Sequence, residues 1–362
     1  MLDEKTKTKR FWGCIGAGVF FLIISLVLSI KPQFIEATFL EAFMPIRGLF
    51  FIVSIMMCLL ALYWCPFIVH KTAINILFLL PVTVAFIMTI IIPFILGVYY
   101  SLTDWNGVTI TKFVGLLNYA NFFKSSEYIY SFLATFLFTM MNMVFINGIA
   151  LGFSLLVTSQ IRGRNIYRAG FFVPNLIGGI VLGYIWQFIF NYVFTAIGGT
   201  LQIEVLSKSL LINPKLAILA IVIVSTWQYA GYIMMIYVTA IQGISDSILD
   251  AAKVDGASYF KCLTKIVIPM VANSFTICIF LTLVNSFKQF DLNYAITNGG
   301  PSMLFMGKAM NSTELLALNI YKTAFTRNNM AVAQSKAVVF FILLATVSLL
   351  QVYISKKQEV EM

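Results

Sequence analysis

The sequence predicts an all-α polytopic membrane protein, and three observations carry that fold class. Of 362 residues, 60% are hydrophobic and only 10% are charged, and the mean hydropathy is +0.93, so the solvent for most of this chain is lipid. Apolar runs recur at the roughly 20 residues an α-helix needs to cross a hydrocarbon core about 30 Å thick. Lys and Arg, which give a net charge of +10, fall in short clusters beside those runs, as they do at membrane borders.

Eight spans are predicted: Phe11 to Ile30, Ile46 to Val69, Ile74 to Leu102, Tyr128 to Val157, Ala169 to Phe194, Pro214 to Ile241, Ile266 to Phe290 and Met330 to Ser355. Lys5, Lys7, Lys9 and Arg10 ahead of the first give it the look of a signal peptide. Its apolar run is too long for one, and no small-x-small cleavage site follows. An even number of spans places both termini on one side. Basic residues favour that side as the cytoplasmic one: Lys71, Arg162, Arg164, Arg168, Lys253, Lys261, Lys265, Lys356 and Lys357 join the N-terminal cluster there. Lys31, Arg47, Lys112, Lys124, Lys208, Lys215, Lys308, Lys322 and Arg327 lie opposite.

Several function classes are excluded. The basic residues lack the aromatic interleaving of a nucleic-acid surface. Cys14, Cys58, Cys65, Cys262 and Cys278 are odd in number and form no Cys-x-x-Cys pair, which argues against a disulfide framework or a zinc site. His70 stands alone. Gly13, Gly16 and Gly18 are not followed by Gly-Lys-Ser/Thr and lie in a span, so the chain has no phosphate loop of its own. The third to sixth spans are nearly free of Asp and Glu, which ion-coupled carriers and proton pumps need. Gly148 with Gly152, and Gly179 with Gly183, have the small-x-x-x-small spacing that lets helices approach closely.

Between the sixth and seventh spans lies a polar segment, Asp250-Ala251-Ala252-Lys253-Val254-Asp255-Gly256-Ala257. Ser247 with Asp250 three residues on has the form of a capping box and predicts a short helix from near Ile248, ended by Gly256. Its alanines keep the surface low enough for another protein's groove to close over it. A plain surface helix has the same pattern.

This segment resembles the EAA loop by which permeases of ABC importers engage their ATPase subunits. The family pattern is Glu-Ala-Ala, three residues, Gly, nine residues, Ile-x-Leu-Pro. Asp250-Ala251-Ala252, Gly256, Ile266 and Ile268-Pro269 match it without a gap. Ser101 to Gly107 with Phe113 to Tyr119, Arg162-Gly163-Arg164 and Arg168 before Phe171 to Pro174, Thr297 to Pro301, and Ile320-Tyr321 with Ala324-Phe325 are similar to the larger permease subunit of maltose-type carbohydrate importers. The resemblance implies a two-helix extension at 1–73, a six-helix core at 74–355 with its coupling loop near 243–268, and a cytoplasmic tail at 356–362. It makes Asp250, Ala251, Ala252, Asp255, Gly256 and Ala257 the ATPase-coupling residues. Counting outward from Asp250, it carries sugar contacts onto Ser225, Gln228, Tyr229, Tyr232, Thr282, Ser286 and Gln289, with Trp227, Lys288 and Trp186-Gln187 as weaker candidates. Steps of three, four and seven place each set on one helix face. Hydroxyls, amides and aromatic faces suit a sugar, and the same polar groups also join helices to one another.

Two departures stand out. Asp250 is one methylene shorter than the motif's glutamate, and the connection from Leu102 to Tyr128 lacks the folded insert of the maltose-type subunit. The implied partners are a second permease subunit, an ABC ATPase dimer, an extracellular solute-binding protein, a sugar and membrane lipid, with no cofactor and no covalent chemistry. An ion-coupled secondary sugar transporter using Lys288 or Asp291, and a membrane-embedded enzyme acting on lipid-linked sugar, are the rival readings.

Overall fold

The computed structural model describes residues 4–29, 47–64, 71–159 and 161–356. Lys31, Cys65, His70 and Lys357, and the ends of the second predicted span at Ile46 and Val69, lie outside the described residues, as do the side chains of Lys5, Arg47, Lys71 and Lys356. The elements are α1 (Glu4–Ser29), α2 (Arg47–Tyr63), α3 (Lys71–Phe86), α4 (Ile92–Ser101), α5 (Leu117–Phe123), α6 (Ser126–Thr158), α7 (Arg164–Phe172), α8 (Gly179–Phe188), α9 (Phe194–Thr200), α10 (Pro214–Gln242), α11 (Asp246–Val254), α12 (Tyr259–Cys262), α13 (Ile268–Met270), α14 (Ala272–Phe287), α15 (Asp291–Thr297), the antiparallel pair β1 (Ser302–Phe305) and β2 (Lys308–Asn311), α16 (Leu316–Tyr321) and α17 (Met330–Lys356). The chain divides into two compact units, Met1–Ile95 and Leu96–Met362.

All-α membrane architecture is borne out: among the described residues six helices are long and apolar enough to cross a membrane, or seven if the bent pair Tyr259–Met270 and Ala272–Phe287 is one span. The second predicted span is represented by an apolar helix of 17 residues, short of the roughly 20 a crossing needs.

In the first unit α1 packs on α2. Ser54 Oγ donates to the Gly18 carbonyl at 2.8 Å, and a Cβ on Gly18 would lie 2.8 Å from Cys58 Sγ. The two backbones meet where side chains are smallest.

In the second unit α6 and α10 run parallel and hold the core. Their first halves share one apolar cluster, with Ala134 and Phe138 against Ala220, Ile221 and Val224. Their second halves share another, with Ile146, Ala150 and Val157 against Ile233, Met234, Tyr237 and Val238. On α6 the buried positions include Ser131, Thr135, Thr139 and Asn142, whereas Phe136, Leu137, Val144 and Phe145 are exposed. This polar-inward, apolar-outward arrangement is expected where lipid surrounds the bundle and polar groups find partners only inside it.

Two predicted spans begin elsewhere. The run from Ala169 starts inside α7, whose continuation is broken by a 3₁₀ turn at Val173–Leu176 carrying Pro174. Proline there removes a backbone donor, and the crossing helix runs from Gly179 to Thr200. The run from Ile266 bends by 69° between Met270 and Ala272, so the helix crossing the core begins at Ala272. Of the two glycine pairs, Gly179 and Gly183 meet α15, where a Cβ would lie 2.7 Å from Asp291 Cβ and 2.5 Å from Ala295 Cβ. Gly148 and Gly152 have no neighbour within 4 Å and make no such approach.

Candidate functional site

The polar segment between α10 and α14 folds as α11, then a turn, then α12. Its start corrects the capping-box reading. The helix begins at Asp246 with Ser245 as N-cap, two residues earlier than predicted. Ser247 spends its hydroxyl on Ser245 Oγ at 2.8 Å, and Asp250 faces Lys253 Nζ at 2.8 Å. Ser247 is the second residue inside the helix and not its N-cap, so the reciprocal capping box cannot form, and Asp250 pairs along the helix instead. The predicted stop holds. Gly256 sits at φ +72°, its N–H donates to Lys253 O at 3.0 Å, and Ala257 N–H donates to Ala252 O at 2.9 Å. These two bonds satisfy the last carbonyls through a left-handed residue that glycine adopts without strain.

Ala252 faces inward and is buried, while Asp250, Ala251, Lys253, Val254, Asp255 and Gly256 are exposed. The carboxylate of Asp250, through its hydrogen bond and then its charge, pushes the Lys253 pKa upward. The pair is exposed on both sides, so water screens it and either group can exchange partner. On either side of the turn, Val254, Tyr259 and Phe260 are 87%, 73% and 72% exposed, an apolar fringe beside charged groups.

Of the predicted sugar contacts, Ser225, Gln228, Thr282, Ser286 and Gln289 are buried, and three of them meet on α6 through two residues the sequence did not single out. Asn142 Nδ2 donates to Ser225 Oγ and to Ser286 Oγ, both at 3.1 Å. Asn147 Nδ2 donates to Thr282 Oγ1 at 3.3 Å, and Tyr237 OH donates to Asn147 Oδ1 at 3.1 Å. The result is a polar seam joining α6, α10 and α14. Gln228 Nε2 donates to the Ile177 carbonyl at 3.2 Å. Asn142 Oδ1 and Gln228 Oε1 are buried acceptors with no partner. Tyr229 and Tyr232 are half-buried. Tyr232 borders a separate cavity with Arg168 and Phe172. Of the weaker candidates, Trp186 and Trp227 meet edge-on with ring centres 5.5 Å apart, Gln187 Nε2 donates to Ile296 O at 3.1 Å, and Lys288 is exposed.

At the opposite end of α6 a second polar cluster ties the connecting segments together. Glu314 accepts from Asn311 Nδ2 at 2.8 Å and Asn319 Nδ2 at 2.7 Å, with Lys322 Nζ at 3.4 Å. Arg327 lies 3.8 Å from it and pairs with Glu127. Burial raises the Glu314 pKa, but the two amide donors and the charges of Lys322 and Arg327 outweigh it and hold the carboxyl below its ordinary value. Lys336, buried in α17, donates to Asn319 Oδ1 at 2.7 Å and Thr323 Oγ1 at 2.8 Å. The Asp104 motif is likewise structural: the Thr111 hydroxyl and the Lys112 N–H bring its carboxyl to about 2.

A bundle of apolar helices with an exposed, sharply terminated helix between two spans, a polar interior seam and a braced far end defines a polytopic membrane protein. No family model matches the chain. It is 41% identical over 286 residues to a "Probable starch degradation products transport system permease protein" of Thermoanaerobacterium thermosulfurigenes, covering 79% of this chain and 95% of that one. It is 31% identical to the "Multiple sugar-binding transport system permease protein" of Streptococcus mutans, covering 74% of this chain and 90% of that one. The fold matches a crystal structure of a bacterial ABC transporter that imports the acidic polysaccharide alginate, with TM-score 0.65, 15% identity and coverage of 77% of this chain and 94% of that one. The chain belongs to the carbohydrate, maltose-type family of ABC importer permeases and is a multi-pass membrane permease component of such a sugar transport system.

Proposed function

We propose that α11 and the turn at Gly256 are grasped by an ABC ATPase, and that ATP-driven motion there tilts α10 and α14 to alternate access to a sugar path. The observation that carries this reading is the exposed edge of Asp250, Lys253, Val254 and Asp255 on a helix that follows α10 directly and leads through α12 and α13 into α14. Asp250 takes the place of the motif's glutamate, and being shorter it requires closer docking to reach an arginine on the ATPase.

One such helix engages one ATPase subunit, so the assembly requires a second permease subunit and an ATPase dimer. An extracellular solute-binding protein delivers the sugar to the bare external loops. Both termini lie with α11 on the cytoplasmic side, which the basic residues around Arg162 to Arg168 and Lys253 to Lys265 support. The chain performs no covalent chemistry.

Ser225, Gln228, Tyr229, Tyr232, Thr282, Ser286 and Gln289 form the sugar-contacting set, a mono- or oligosaccharide being the cargo. The unpartnered buried acceptors Asn142 Oδ1 and Gln228 Oε1 support a polar occupant of the seam. In the arrangement described, the serines are closed on Asn142, and separation of α6 from α10 and α14 frees them.

Purification and transport test this together. The expected result is copurification of an ATPase and a second permease, with sugar uptake into proteoliposomes that needs ATP and the binding protein. Uptake by this chain alone under an ion gradient would replace the proposal with the secondary-carrier reading.

A further inference from the structure

A cavity of about 360 Å³ opens beside α7, lined by Arg168, Ala169, Phe172, Tyr232, Met235, Ile236 and Thr239. The positions Tyr232 to Thr239 lie about 4 to 15 Å short of the end of α10 at Gln242, by the 1.5 Å rise per residue. Because α10 has 29 residues, more than the roughly 20 that cross the hydrocarbon core, these positions fall at the border between headgroups and acyl chains of one leaflet. Arg168 stands at the same end of the bundle, since its Nη2 donates at 3.1 Å to the carbonyl of Val157 in the last turn of α6. The guanidinium is only partly used: its Nε is buried and has no hydrogen-bond partner. A guanidinium carries five N–H donors, and with one given to Val157 Arg168 keeps donors for an acceptor in the cavity it lines.

The surroundings specify the acceptor's chemistry. Apart from Arg168, Thr239 and the Tyr232 hydroxyl, the wall is apolar. Thr239 Oγ1 is committed to Met235 O at 2.9 Å. Arg162 and Arg164 stand exposed at the start of the same amphipathic helix, where Ile166 and Tyr167 are exposed as well. Cationic side chains over an apolar slot suit an amphiphile with an anionic head: a phosphate meets the arginine fork in charge-assisted bonds, and a hydrocarbon tail fills the slot. A free anion gains nothing from the apolar wall, and a zwitterionic lipid gains less from three arginines.

We infer that Arg168 and the slot beneath it form a specific site for an anionic phospholipid, wedged between α7 and the last turns of α10 directly ahead of α11. The inference requires only that these helices cross a bilayer; it stands apart from the ATPase-docking reading and assigns Tyr232 to the lipid in place of the sugar set.

The test uses the full chain in nanodiscs of mixed phosphatidylcholine and phosphatidylglycerol, with lipids retained after detergent exchange counted by native mass spectrometry. The wild type is expected to keep phosphatidylglycerol in preference to phosphatidylcholine, unaffected by inorganic phosphate. Arg168→Gln should lower that retention by roughly tenfold or more, the worth of a hydrogen bond to a charged group. Arg168 also caps α6, so the deciding variant is Thr239→Trp, which fills the slot, keeps the arginine and should cause a comparable loss. Wild-type retention by Thr239→Trp, equal retention of the two lipids, or displacement by inorganic phosphate would overturn the assignment.

Discussion

The Asn142 amide donates to Ser286 Oγ at 3.1 Å, across 144 positions of chain, and the same nitrogen reaches Ser225 Oγ at 3.1 Å. One side chain thereby holds three spans in register. Interhelical bonds of this kind in membranes average about 0.6 kcal/mol and reach about 1.7. Asn142→Ala should therefore cost about 1–3 kcal/mol, with Ser225→Ala or Ser286→Ala costing about half as much, read as thermal unfolding in detergent. A Ser225→Ala protein with unchanged melting and a severalfold raised KM for uptake would instead assign that hydroxyl to the sugar.

Glu314 makes the far end pH-sensitive. Its carboxyl lies below the ordinary glutamate value of 4.5 in the folded protein, so the folded chain binds fewer protons than the unfolded one. Its contribution is full above about pH 4.5 and is lost as pH falls through the lower folded value. Melting temperature should hold from pH 7 to about 4.5 and then decline, and Glu314→Gln should remove that part of the decline. At pH 7 the variant should lose roughly 1–3 kcal/mol, reduced from a fully buried pair because Arg327 is 41% exposed.

Gly256 separates backbone demands from contact demands. At φ +72° any Cβ costs about 1–2 kcal/mol, although no atom lies within 4 Å of the position a Cβ would take. Gly256→Ala should fray the end of α11, measured as faster amide exchange at Asp255 to Ala257, with partial loss of uptake. Gly256→Arg adds bulk at an exposed surface and should abolish coupling while leaving the rest of the fold intact.

These residues mark how far sequence reading reached. Lipid-length apolar runs fix the helices because backbone groups in lipid must be satisfied within each segment, and Gly256 ended α11 where its left-handed preference required. The bend at Val271 was missed although Pro269 stands two residues before it: a proline inside a helical run removes a backbone donor and marks a kink or break. Ser247 was misread because capping depends on a helix start that shifts by two residues. Asn142 and Asn147 were missed although two carboxamides inside a membrane span carry a signal: polar groups there need internal partners. Lys336, a lone cation inside the last span, carried the same signal toward the Glu314 cluster.

Close approach of α7 to α10 rests on Gly231, where a Cβ would sit 1.8 Å from the Phe171 carbonyl oxygen. Backbone cannot yield as a flexible side chain does, so Gly231→Ala should cost at least about 1–3 kcal/mol. Lower expression and a lower melting temperature should accompany it. Gly148→Ala, with open space around it, should melt as the wild type does.

The account stands on an ATPase gripping α11, and crosslinking reads that contact directly. In a background with Cys14, Cys58, Cys65, Cys262 and Cys278 replaced by Ser, Val254→Cys places a thiol on the 87% exposed edge of the helix, and Val108→Cys, 89% exposed on the loop beyond the opposite end, serves as control. With one cysteine engineered into the docking groove of the ATPase and a short bismaleimide to join the two thiols, the assembled transporter should give a covalent adduct of this chain with the ATPase from position 254 and none from position 108, and ATP should change its yield. An assembled, ATP-hydrolysing transporter that never yields the adduct from position 254 would contradict the account.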